Sequence, residues 1–222
     1  MSGQPSRQLL SRAGLIGLVT GVLGALSALV LLYWPPQLAE GPVSYPFTTT
    51  GFLIAQAWFF VHHFGLVITL LALAVSGAVG NGRLVRGGAW LAVIGMVLLT
   101  FTELLAMRYA DWDFDTANAG LMGTSYGIAS TVIGLGMLVA GVGVLRAGVW
   151  SGWRRWTPLA TGVALFAVVT PGMFGGFVMA RLAIGFWMLL FAALGWSLHA
   201  ESRRSSPAPQ PRAAASVGWP AP

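Results

Sequence analysis

The chain has 222 residues, of which 56% are apolar and only 8% charged, against about 25% charged in soluble domains. Its net charge of +6 comes from arginine alone, placed in short stretches between long apolar runs; this distribution reads as topology signals and excludes nucleic acid as a partner. Cysteine is absent, which excludes disulfides, thiolate metal sites, iron–sulfur clusters and CxxC redox chemistry.

In chain order, residues 1–12 are polar, carry Arg7 and Arg12, and read as a cytoplasmic N-terminal segment. The first apolar run, 13–33, has the length of a membrane-crossing helix. It outruns the apolar core of a signal peptide, about 7–15 residues, and is expected to stay uncleaved. Gly14, Gly17, Gly21, Gly24 and Ala28 recur at three- and four-residue steps, a bare face that lets a neighbouring helix approach. Trp34, Pro35 and Pro36 end it, because proline cannot continue a helix and tryptophan favours the membrane interface. The loop to Thr50 has Glu40 and no basic residue, so it belongs on the outer side.

The second span, 52–80, holds Gln56, His62 and His63 inside an otherwise apolar run. Polar groups at that depth are costly and mark a candidate site. A third span, 88–107, carries Thr100, Thr102 and Glu103 in its outer half, and the acidic segment Asp111, Asp113, Asp115 follows. Aspartate at alternate positions resembles the start of a calcium loop, but the glycine and closing glutamate are missing, and no metal is expected. The fourth span, 118–145, contains Ser125, Tyr126 and the GxxxG pair Gly123 and Gly127, again a helix-packing signal. Arg146, Arg154 and Arg155, with Trp150, Trp153 and Trp156, read as a cytoplasmic anchor. A fifth span, 157–174, opens on Thr157-Pro158 and closes near Pro171-Gly172. A sixth, 177–199, has Arg181 one turn inside its outer end, and residues 200–222 read as a disordered tail rich in proline, alanine and serine.

Six spans make an all-α, polytopic bundle in the cell membrane with both termini cytoplasmic. Ten arginines then lie inside, and only Arg108 and Arg181 outside, a one-sidedness that fixes orientation. The two halves share no residue pattern, so no inverted repeat is expected.

By depth, Gln56, His63, Glu103, Tyr126 and Arg181 converge in the outer half and are the expected ligand-binding residues. Gln56 and His63, seven residues apart, share a helix face, while His62 points about 100° away. Glu103 and Arg181 are expected to pair, as Glu103 is the only acid within a span. A plainer reading gives the histidines ordinary hydrogen bonds to neighbouring helices.

Haem ligation by facing histidines fails because His199 lies at the other membrane face, and HExxH is absent, so no cofactor or metal is expected. The preferred function is non-enzymatic: binding, sensing or export of a lipid or small amphiphile through an outer-side polar pocket. The alternative is a membrane enzyme using Glu103 as acid, with His63 or His62 as base, on an apolar substrate. Expected partners are membrane lipid and a small apolar ligand, with self-association left open.

Overall fold

The computed structural model describes residues 6–113 and 117–204. Among them, six helices are long and apolar enough to cross a membrane, and the sole extended pairing is an isolated bridge between Pro42 and Asp113. The elements are α1 (Arg7–Tyr33), α2 (Thr49–Val75), α3 (Arg83–Met107), α4 (Ala117–Ala147), a 3₁₀ turn (Gly152–Trp156), α5 (Thr157–Ala164), a π-turn (Leu165–Val169), α6 (Thr170–Met173) and α7 (Gly176–Arg204). Each long helix packs against its predecessor, and α7 closes the ring on α1. Both described termini therefore lie at one end, the terminal end; the loops 34–48 and 108–113 lie at the other, the far end.

Helix boundaries follow local chemistry. Ser6 caps α1 by accepting from the Leu9 N–H at 3.4 Å, so the helix takes in Arg7 and Arg12, which the sequence reading left outside. Thr48 caps α2 the same way. That helix stops at Val75, before the expected position 80, where Ser76 Oγ bonds back to Leu73 O and Gly77 takes φ 77°, a left-handed conformation glycine adopts freely. At the other terminus α7 continues past His199 through Glu201 to Arg204, whereas the sequence reading began the tail at residue 200. Residues 205–222 of that expected disordered tail lie outside the described residues.

The α1–α7 seam is the closest in the bundle. Gly14, Gly17, Gly21, Gly24 and Ala28 are all buried on α1. Cβ atoms at Gly21 and Gly195 would collide with the Ala192 and Leu18 backbones respectively. Backbones this near exchange dispersion over the whole seam, which in lipid takes the place of a hydrophobic drive.

The GxxxG pair on α4 behaves differently. A Cβ at Gly120, Gly123 or Gly127 meets nothing within 4 Å, so the expected packing partner is not supplied by the described residues. The reason lies in the neighbouring helix. Pro171 lacks an N–H and its ring collides with the carbonyl four residues back; the helix answers with the π-turn, in which the Thr170 N–H reaches Leu165 O. Up to that turn α5 lies close on α4, with Gly134 against Leu165 and Gly141 against Leu159. Beyond it, α6 packs on α7 and not on α4.

Leu66, Leu70, Met96, Ile133, Met137, Leu165 and Phe191 form an apolar core between the two ends. Loop 34–48 closes the far end, with Val43 N–H donating to Trp112 O at 2.9 Å and Ser44 N–H to Ala110 O at 3.1 Å. Thr49 Oγ1 donates to Asp111 Oδ1 beside them.

Candidate functional site

Four helices bring a polar layer together above the apolar core. On α2, Gln56 and His63 are two turns apart and both face inward. Glu103 sits one turn before the end of α3, Tyr126 just over two turns into α4, and Arg181 just over one turn into α7. Glu103 is 5% exposed and His63 7%.

The bonds run in a chain. Gln56 Nε2 donates to Tyr126 Oη at 3.3 Å, and Tyr126 donates to Glu103 Oε2 at 2.7 Å. The other carboxylate oxygen, Oε1, lies 3.5 Å from His63 Nδ1, an ion-pair distance without hydrogen-bond alignment. His62 turns the opposite way. Its Nε2 donates to the Thr20 carbonyl of α1 at 2.8 Å, and its Nδ1 is buried with no hydrogen-bond partner among the described residues. The two imidazoles on adjacent residues thus serve different neighbours.

Arg181 departs from the sequence reading. Among the described residues the ion pairs are His63–Glu103 and Arg154–Glu201, so the expected Glu103–Arg181 pair is not formed. Ring order explains this: α3 touches α2 and α4 but not α7, so the carboxylate meets Tyr126 and His63 first. Arg181 remains within electrostatic reach of both Glu103 and Tyr126. Its guanidinium lies 4.9 Å from the Phe177 ring centre, and its Nε is buried with no hydrogen-bond partner among the described residues. Phe177 in turn meets Tyr45 of the closing loop edge-on at 5.3 Å.

The remaining polar side chains at this depth are satisfied locally. Thr100, Thr102 and Ser125 each donate to the carbonyl four residues back, and Thr170 to Leu165 O within the π-turn. A small apolar cap of Val43, Ala106 and Met122, flanked by Phe52 and Tyr109, covers the layer from the far end. Two shallow grooves run on the outside of the bundle, one along Thr124, Gly127, Ile128, Thr131 and Val132, the other between α1 and α2. Neither is lined by the five polar-layer residues. No group of three or more potential metal-ligating side chains occurs among the described residues.

A second buried cluster, at the terminal end, was missed by the sequence reading. Arg154 Nε donates to Glu201 Oε1 at 2.5 Å, and Ser151 bonds the same oxygen through N–H and Oγ at 3.4 Å. Arg154 and Arg204 both reach Ser151 Oγ, at 3.2 and 3.1 Å. The signal was present: Glu201 is the only acid beside the arginines of that end. Close by, His199 Nδ1 lies 2.9 Å from Ser11 Oγ, tying α7 to α1.

The molecule is thus an all-helical bundle with the makings of a multi-pass membrane protein and a buried polar layer near one end. Comparison of the chain with protein-family models, with curated proteins and with solved structures finds no match.

Proposed function

We propose that this protein crosses the cell membrane six times, with both termini cytoplasmic, and binds a lipid or small amphiphile in its polar layer, sensing or exporting it without chemistry. One observation carries the reading: beside a carboxylate already engaged by Tyr126, buried nitrogens of His63 and Arg181 have no hydrogen-bond partner among the described residues. Buried polar atoms are costly to leave unserved, and in a membrane such groups mark functional sites by default. The arginine asymmetry supports the orientation, which turns the polar layer outward. The apolar core beneath the layer closes the path from it toward the terminal end.

Native mass spectrometry of the protein released from mild detergent tests this. About one amphiphile retained per wild-type chain, and its loss from Arg181→Met, is the expected pair of spectra; identical lipid content in both would refute the assignment. The approach of His63 to Glu103 favours a second reading, acid–base catalysis on an apolar substrate. Chemical conversion of the retained molecule by wild type and not by Glu103→Gln would mark that alternative.

A further inference from the structure

Resting on the site proposed above, we infer that its ligand is an anionic amphiphile, with its head on Arg181 and its chain in the cleft that opens between α4 and α6. Charge decides the head. Glu103 is served by Tyr126 and approached by His63, and it forms no ion pair with Arg181. Glu40, Asp111 and Asp113 belong to the far-end loops, and Asp111 is held by Thr49. Among the described residues no carboxylate forms an ion pair with the guanidinium, and its buried Nε has no hydrogen-bond partner, so it has a donor to give another acceptor. A planar fork of N–H groups with delocalised charge matches a sulfonate, phosphate or carboxylate in bidentate geometry, and repels a quaternary ammonium head. Phe177 stacks on the guanidinium and leaves its edge, where the donors are, for the anion.

The cleft decides the tail. Up to the π-turn, α4 and the fifth span interlock through Gly134, Gly141 and Gly162. Past it α6 packs on α7 and not on α4. The face of α4 left bare carries Gly120, Gly123 and Gly127, where side chains meet nothing, and the groove along Thr124, Ile128 and Thr131 runs beside it. This face is exposed on the side of the bundle, which the orientation proposed above turns toward lipid, while loop 34–48 closes the far end. A lipid chain is the occupant that fits: the groove along α4 is apolar, and it includes Gly127, the residue after Tyr126, whose phenol lies within electrostatic reach of Arg181. The source is the membrane, not a free anion in water.

Titration calorimetry on the full chain in phosphatidylcholine nanodiscs tests the inference with decanesulfonate, whose charge is independent of pH, and with decyltrimethylammonium as its cationic counterpart. Saturable binding of the sulfonate at one per chain, about tenfold or more tighter than the ammonium, is expected from a charge-assisted contact. Arg181→Met abolishes the preference, and Arg181→Lys keeps part of it. Gly127→Leu fills the cleft at a position with free space, so it weakens sulfonate binding without lowering the melting temperature. Equal affinity for both heads would overturn the anionic assignment while leaving an amphiphile site in place. Unchanged binding in Gly127→Leu would overturn the cleft. Absence of saturable binding by either amphiphile would overturn this inference and the reading it rests on together.

Discussion

Replacing Gly195 of α7 by alanine tests whether the α1–α7 seam carries the stability its closeness implies. An added Cβ would stand 2.3 Å from Leu18 N, 2.5 Å from Gly17 C and 2.7 Å from Gly14 O. All three atoms are backbone, so no side chain can swing aside, and the helices must part by roughly 1 Å to restore van der Waals contact. A radial gap of that size removes about a quarter to a half of each dispersion contact it opens. Overpacking of this kind costs typically about 1–3 kcal/mol, and with backbone on both sides the upper end applies. Alanine returns about 0.8–1.0 kcal/mol through helix propensity. The net expectation is a loss of about 2 kcal/mol, or about 4–8 °C in melting temperature for a chain of this length. Tryptophan fluorescence on heating in mild detergent reads it directly, since the chain has ten tryptophans and no cysteine for thiol dyes. Gly123→Ala is the matched control: its Cβ meets nothing, so the propensity gain stands alone and the melting temperature holds or rises. A Gly195→Ala protein melting at or above Gly123→Ala would refute the reasoning.

Three other predictions follow from the polar clusters and the charge pattern. Glu201→Gln strands Arg154 and costs about 3–5 kcal/mol, whereas the double change Glu201→Leu, Arg154→Met recovers most of it; thermal melts of the three variants check this, and equal losses in single and double variants would refute a structural pair. Tyr126→Phe removes the donor to Glu103 and the acceptor for Gln56, for about 1–3 kcal/mol measured the same way, and an unchanged melt would mean water replaces the phenol. Single cysteines at Ser2, Asp113 and Ser205 report topology in whole cells: an impermeant reagent labels position 113 alone if both termini are cytoplasmic, and the reverse pattern would invert the molecule.

Span length and apolar composition made the six helices legible, because a helix that must satisfy its own backbone in lipid needs an unbroken apolar run. The inward faces of Gln56 and His63 were legible too, as seven residues make two near-whole turns. Which groups Glu103 would meet was not. The sequence places Arg181 at the right depth, but depth does not say which helices are neighbours around the ring, and α3 adjoins α2 and α4. Gly123 and Gly127 read as a packing face because spacing records small size and not the presence of a partner. The helical course of α7 through Glu201 was hidden by the composition of the residues after it. Two charged groups brought together across the chain by the fold, Arg154 and Glu201, were needed to hold it.

The π-turn also sets the register of everything after it. An extra residue in one turn shifts each later side chain by about 100° from where a continuous α-helix would carry it. Gly172 thereby comes to face α7, where an added Cβ would lie 2.5 Å from the Ala183 Cβ. In an unbroken helix the preceding position would occupy that angle and push a side chain into the contact. Proline and the glycine after it therefore act as one spacer. Pro171→Ala would let the segment rewind, and the rewound helix would turn Gly172 away from the neighbour that requires it.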